Sequence, residues 1–306
     1  MIQRPGESMG PAVVQYRFER LPSAFRYFPR AVFGRRSALV PDGEAVPRLE
    51  GRVAAVRAKR RHLARYREIC GFRDDGCLPI TYPHVLAMPL QFAILTHPRF
   101  VVRLMGLVHV ANVIRQLRPL PDTQSFELHS WIEGHRDVDR GHEFDLYTAV
   151  EDGEGTAWLE KSTLLARRAA SSKPASRGAR QALRYEKPPE GSRTEIAAIR
   201  VPRAMGRRYG WLSGDLNPIH LGDRGAKLFG FERAVAHGMW SMARSLAALG
   251  PPALAPPVQA LVEFKFPLFM PGDARLEHWA TDGRHVFVLK DTGSGRPHLA
   301  GAARRD

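Results

Sequence analysis

The stretch Gly238–Leu249 (GMWSMARSLAAL), together with the strand patterns on its C-terminal side, limits the fold more than any other part of this chain. It is rich in helix formers and free of proline. Its large apolar residues Met239, Trp240, Met242, Leu246 and Leu249 recur three and four apart, which predicts a helix with one buried face. Gly250-Pro251-Pro252 ends it. Beyond lie only strand and turn patterns. Residues 261–269 (LVEFKFPLF) alternate aromatic and charged side chains, Met270-Pro271-Gly272-Asp273 reads as a turn, and 275–280 and 285–289 read as two further strands. Ahead of the helix, 194–201 reads as a short strand and 202–212 as a turn or short helix. One helix wrapped by antiparallel-type strands is an α+β layout.

With 306 residues, the chain can hold two such units of about 150. A composition shift marks the division. Residues 167–193 open on the run RRAASSKPASRGA and include Lys187-Pro188-Pro189; they are small, polar and basic, and read as a linker. The predicted organisation is therefore 1–166, a linker at 167–193, and 194–306. In the front portion, 104–117 (LMGLVHVANVIRQL) reads as a helix and 126–132, 142–150 and 157–166 as strands. That order loosely repeats the back portion, and the string from Gly106 through His109 to Val110 echoes the one from Ala234 through His237 to Gly238.

Composition narrows the function classes. No run of about 18 apolar residues predicts a transmembrane helix, and the first ten residues lack the basic and apolar regions of a signal peptide. Cys70 and Cys77 are the only cysteines and read as small buried hydrophobes in a reduced, cytoplasmic setting. The chain has 46 Lys+Arg against 31 Asp+Glu, a net charge of +15. Residues 1–73 are the most uneven, with the cluster Lys59-Arg60-Arg61 among them. Such a charge attracts anions: nucleic acid, an acidic carrier protein, or the phosphates of a coenzyme. No finger, RNP-type or helix-turn-helix pattern accompanies it, so nucleic acid is the least supported of the three.

The chemistry-bearing segment is Ser213-Gly-Asp215-Leu-Asn217-Pro-Ile-His220. Its Gly, Asn and Pro predict a tight loop. A carboxylate and an imidazole five residues apart there can hold one water between them, a base and an acid for moving a proton. The alternative is an Asx turn with a surface histidine. Downstream, Ala236-His237-Gly238 places a glycine at the start of the predicted helix, where unpaired N–H groups and no Cβ allow a carbonyl to approach. Oxygen gaining negative charge would be stabilised there.

The run Tyr209…Leu212-Ser213-Gly214-Asp215-Leu216-Asn217-Pro218-Ile219-His220, followed by 229–239 (FGFERAVAHGM) and 264–273 (FKFPLFMPGD), resembles the MaoC-like dehydratases, also called (R)-specific enoyl-CoA hydratases or hydratase-2 proteins. The match covers roughly 195–280. The front portion resembles the degenerate first half of double-hotdog members through Leu78-Pro-Ile-Thr-Tyr-Pro-His84, Gly106-Leu-Val-His109 and Arg118-Pro-Leu120, and it lacks the Asp/Asn/His string.

The resemblance implies an α+β double hotdog, each half a central helix wrapped by a curved antiparallel sheet, with catalysis confined to the back half. It implies reversible syn hydration of trans-2-enoyl thioesters, on coenzyme A or an acyl carrier protein, to (R)-3-hydroxyacyl thioesters. Asp215 and His220 would act on the water and Gly238 would polarise the thioester carbonyl. Asn217 and His237 would support the substrate site. Relatives often place a helix hydroxyl against the catalytic Asp; here that position falls near Leu246, with Ser245 beside it and Ser241 one turn back, and which of the two serves, if either, is left open. No metal or other cofactor is implied, and a monomer or a homodimer of double hotdogs fits. A hotdog acyl-thioester hydrolase and a non-catalytic binding protein for acyl carrier or nucleic acid stay open as alternatives.

Overall fold

A computed structural model describes residues 13–34, 36–168 and 194–305. The front portion runs β1 (Val14–Phe18), α1 (Phe28–Phe33), β2 (Leu49–Arg57), α2 (Arg60–Cys70), α3 (Tyr82–Leu95), β3 (Leu107–Gln116), β4 (Ser125–Ile132), β5 (Arg136–Val138), β6 (Gly141–Asp152) and β7 (Gly155–Arg167). The back portion runs β8 (Thr194–Val201), α4 (Met205–Ser213), α5 (Pro218–Leu221), α6 (Asp223–Leu228), α7 (Gly238–Leu249), α8 (Pro251–Leu254), β9 (Val258–Phe264), β10 (Gly272–Thr281), β11 (Arg284–Asp291) and β12 (Pro297–Arg305). Nearly all of the proposed linker lies outside the described residues.

The strands form one sheet in the order β1-β2-β4-β6-β7-β3-β9-β12-β11-β10-β8, with β5 on β6. Outward from the centre, β3-β7-β6-β4-β2 and β9-β12-β11-β10-β8 follow the same connectivity. The seam is β3 against β9, antiparallel, with Ala111 opposite Glu263 and Gln116 opposite Val258. Each half has one central helix, α3 or α7, before its seam strand. This is the double hotdog that the sequence implied. Among the described residues no helix is long and apolar enough to cross a membrane.

The core crosses from one half to the other. Tyr66, Leu90 and Trp158 of the front belong to the same buried cluster as Trp240, Met242 and Leu289 of the back. Trp240 donates its indole N–H to the Ile69 carbonyl at the end of α2, 3.1 Å away, so α7 is tied to the front half by a satisfied buried donor. Cys70 is buried, and burial pushes its thiol up to about 12, as expected of an inert packing residue. Cys77 is only partly buried, contrary to expectation.

One element differs in kind from its sequence reading. Residues 104–117 are not the front helix; Leu107–Gln116 is the seam strand β3, hydrogen-bonded to β7 on one edge and β9 on the other. With both edges paired and most residues buried or half-buried, such a strand reads as a near-continuous apolar run. The front central helix is α3, with Pro83 in its first turn and Pro89 inside it. The start of α3, not Gly106, is therefore the counterpart of His237–Gly238.

Two smaller differences matter for the site. Strand β9 stops at Phe264, leaving 265–269 outside the sheet. The register of β3 against β7 slips between His109 and Ala111, a β-bulge.

Candidate active site

The loop that carries Asp215 and His220 lies against α4. Gly206 of α4 makes this possible, since a Cβ there would stand 1.8 Å from the His220 carbonyl oxygen. After α4 ends at Ser213, short-range bonds set the loop. The Asp215 N–H donates to Ser213 Oγ at 3.2 Å, the Asn217 N–H to Asp215 Oδ1 at 3.1 Å, and the Ile219 N–H to Asn217 Oδ1 at 3.3 Å. Asn217 is thus the N-cap of α5, with Pro218 in its first turn. The Asx-type bonds of the plain-turn alternative are present, and they aim the Asp and His side chains inward.

His220 donates Nδ1–H to the Val235 carbonyl at 2.6 Å. That bond fixes the tautomer and leaves a lone pair on Nε2. Nε2 stands 3.8 Å from Asp215 Oδ2, too far for a direct hydrogen bond and suited to sharing a small molecule. His237 stacks on His220, ring centroids 3.8 Å apart, and donates Nε2–H to the Asp215 backbone carbonyl at 3.0 Å. Asp215, His220 and His237 offer three atoms close enough for a metal ion. His237 Nε2–H is committed to the Asp215 carbonyl, so the atoms left to share a water are Asp215 Oδ2 and His220 Nε2.

Electrostatics separate the roles. Burial pushes the Asp215 carboxyl up, but the imidazoles of His237 and His220 and the Asn217 N–H outweigh it, so the group is held below the usual carboxylate range. About a third of the Asp215 side chain remains open, into the cavity. Burial lowers His220, against the raising influence of Asp215. Burial and His220 lower His237 to about 3, so it is a neutral donor. At neutral pH the site therefore holds a carboxylate and a neutral imidazole with its base nitrogen facing inward.

Gly238 opens α7, and the first N–H groups of any helix lack partners within it. A Cβ on Gly238 would stand 3.0 Å from the Phe264 ring. The hydroxyls expected to support Asp215 do not: Ser241 donates to the His237 carbonyl and Ser245 to the Ser241 carbonyl. The backbone N–H of Asn217 serves the carboxylate instead.

All five anticipated residues, Asp215, Asn217, His220, His237 and Gly238, line one cavity of about 450 Å³, a size suited to a small-molecule site. From the Asp–His pair the cavity extends into the front half along Met88, Gln91, Phe92 and Leu95 of α3. Exposed Arg140, Arg167, Lys265 and Phe266 also border it. Sequence reasoning missed the buried front-half group His84, Asn112 and Glu160. The sequence pointed to His84 and His109 only through the family resemblance and the internal echo, and no local pattern joins them to Asn112 and Glu160.

The fold is a double hotdog whose cavity is faced by an Asp/His pair beside a helix start. The chain belongs to the MaoC-like dehydratase family. The sequence model of the MaoC like domain matches residues 184–297. Over 292 residues the chain is 32% identical to 3-hydroxyacyl-thioester dehydratase X of Mycobacterium tuberculosis, spanning 92% of this chain and 98% of that protein. The crystal structure of HtdX from M. tuberculosis aligns with a TM-score of 0.71 at 31% identity, over 83% of this chain and 99% of that one. A MaoC-like dehydratase from Phytophthora capsici shares the fold, with a TM-score of 0.66 at 20% identity over 84% and 94% of the two chains.

Proposed function

We propose that this enzyme reversibly adds water to trans-2-enoyl thioesters, giving (R)-3-hydroxyacyl thioesters. The observation that carries the reading is the 3.8 Å gap between Asp215 Oδ2 and His220 Nε2, two acceptors facing one cavity beside the Gly238 helix start. A water in that gap donates one hydrogen to each. As its oxygen bonds to C3, one of those protons passes to the pair and then to C2 on the same face, which makes the addition syn. The electron pair displaced from the double bond runs through C2 toward the thioester oxygen, where the Gly238 N–H stabilises it. His237 holds the Asp215 backbone and Asn217 caps α5, so both position the loop.

The division of labour runs along the chain. Residues 194–306 supply the pair and the carbonyl donor; residues 1–166 supply much of the wall for a medium or long acyl chain and, among their described residues, no second Asp/His pair of this kind; 167–193 link them. The exposed Arg140 and Arg167 on the cavity border suit the phosphates of coenzyme A or of a carrier protein's phosphopantetheine, while Lys265 there is ion-paired with Glu263. The relative named as a 3-hydroxyacyl-thioester dehydratase supports this substrate class.

A panel of trans-2-enoyl-CoA thioesters tests the reading. Asp215→Asn and His220→Ala should each lower kcat/KM by about 10²–10⁴-fold, the usual range for a lost acid–base group, while retaining the wild-type circular dichroism. Chiral analysis of the product should return the (R) alcohol. Release of free thiol without loss of the enoyl absorbance would identify a thioesterase instead, and normal turnover by both variants would reject the assignment.

A further inference from the structure

The front half builds its own buried polar group, of which His84, His109 and Ser162 border the same cavity. Glu160 on β7 is fully buried. His84, in the first turn of α3, places Nδ1 2.9 and 3.0 Å from its two carboxylate oxygens. Asn112 on β3 donates Nδ2–H to Glu160 Oε1 at 2.7 Å and to Ser162 Oγ at 3.0 Å. Burial alone would push the Glu160 carboxyl up, but His84 and Asn112 hold it below its ordinary range, and Glu160 in turn raises His84. The result is a buried ion pair, and such pairs persist only when well hydrogen-bonded.

His109 joins this group because of the bulge in β3. In a regular strand residues 109 and 112 would face opposite sides. The extra residue between His109 and Ala111 turns both to the same side. The His109 ring stacks near His84, centroids 6.3 Å apart, and also lies 5.0 Å from the Phe264 ring that abuts Gly238.

Three polar atoms are left over. Nε2 of His84, whose ring borders the cavity, has no protein partner among the described residues. Nε2 of His109 and Oδ1 of Asn112 are buried with none. Burial holds the His109 ring neutral, lowered to about 4. A neutral imidazole has one acceptor nitrogen, the role assigned to Nε2, whereas His84 Nε2, on a ring paired with a carboxylate, is a donor. Buried polar atoms are nearly always satisfied, so this set calls for a guest with both a donor and an acceptor.

We propose that His84 and His109, whose rings both border the cavity, form a specificity station for a hydroxyl group carried on the acyl chain beyond C3. The hydroxyl oxygen accepts from His84 Nε2, and its hydrogen goes to His109 Nε2. A keto group could satisfy only the first of these. His84 and Asp215 line the same cavity, so the station shares the space that holds the reacting thioester. The apolar wall of Met88, Phe92 and Leu95 is left for the rest of the chain. This inference rests on the hydratase reading and names a substrate subclass for it.

The test uses trans-2-enoyl-CoA thioesters of one length, plain or bearing a single hydroxyl at successive carbons from C4 outward. With the wild-type enzyme, one hydroxylated member should exceed the plain one in kcat/KM by at least about tenfold, as expected for hydrogen bonding to a charged donor. His84→Asn keeps an N–H where Nδ1 serves Glu160 and removes Nε2. In that variant the hydroxylated-to-plain ratio should fall to about one, and a ratio taken within one variant is insensitive to partial loss of folded protein. The station is overturned if no hydroxylated member outruns the plain one in the wild type, or if His84→Asn keeps the wild-type preference. Turnover of the plain thioester with no hydroxyl preference would leave hydration standing and remove only the station. No turnover of any member would reject the hydratase reading and this inference with it.

Discussion

Replacing Gly238 with alanine would separate the two demands made on the start of α7. Within a helix, Gly→Ala ordinarily stabilises by roughly 0.5–1 kcal/mol, because it lowers the entropy of the unfolded chain. Here the new Cβ would stand 3.0 Å from Phe264 Cε1 and 3.2 Å from Cδ1 and Cζ. Carbon atoms prefer about 3.5–4.0 Å, so the ring must retreat by about half an ångström. The His109 ring lies 5.0 Å from it and restricts that retreat. Overpacking of this kind costs about 1–3 kcal/mol, leaving a net loss of roughly 0–2.5 kcal/mol. Activity should suffer more. The methyl group and the displaced ring crowd the space where the thioester carbonyl meets the helix N–H, and losing one such donor costs about 10²–10³-fold in turnover. The assay is hydration of a trans-2-enoyl-CoA followed by loss of its ultraviolet absorbance, with thermal melting on the same preparation. A folded variant whose kcat/KM stays within about threefold of wild type, under ~0.7 kcal/mol in the barrier, would refute the role given to Gly238.

The remaining predictions concern charge. Glu160→Ala leaves His84 without its counter-charge and should cost about 3–5 kcal/mol in urea unfolding; a loss below about 1 kcal/mol would mean the pair is not buried as described. Because burial lowers His220, its base form persists below pH 6.5, so kcat/KM for hydration should stay level through pH 6.5 and fall only at more acid values; an acid limb above pH 6.5 would contradict this. Stability should also fall with acid. His109 and His237 are depressed to about 4 and about 3 in the folded chain, so the unfolded chain takes up their protons first as the pH drops below 6.5, and stability decreases from there toward those values. For His109 alone the loss is roughly 3 kcal/mol at most, and His109→Phe should flatten that part of a plot of stability against pH.

How far the fold was legible depended on where the deciding contacts lie. Helix α7 and strand β8 match their predicted bounds, since a one-sided apolar stripe ended by Gly250-Pro251 and a short isolated strand are local signals. Helix α3 carries no such stripe: almost every residue from Tyr82 to Leu95 is buried, and Pro83 and Pro89 argue against a helix when read locally. Strand β3 was mistaken because what makes it a strand is pairing with β9, far along the chain. Strand β12 was passed over because Ala300, Gly301, Ala302 and Ala303 lack the β-branched and aromatic residues of a typical strand.

The same distinction holds in the site. Asp215, Asn217 and His220 sit within six residues and bond one another through their own loop, so the constellation could be read directly. His84, Asn112 and Glu160 come from three distant elements, and the bulge that turns His109 toward them arises from register with β7. No local pattern encodes that register. The expected helix hydroxyl failed for a related reason: Ser241 and Ser245 satisfy their donors on carbonyls one turn back, a choice made by rotamer rather than by position.

The seam between β3 and β9 joins two unlike halves of a single chain. Were the halves identical, each could supply a proton-transfer pair and receive the acyl chain bound by the other, giving two equivalent centres. With Asp215 and His220 as the proposed proton-transfer pair, joining and divergence in one chain give one centre for every two hotdogs. A tight-binding substrate analogue should therefore titrate at one equivalent per chain. The half relieved of chemistry is left free to change its side of the cavity without touching the atoms that move the proton.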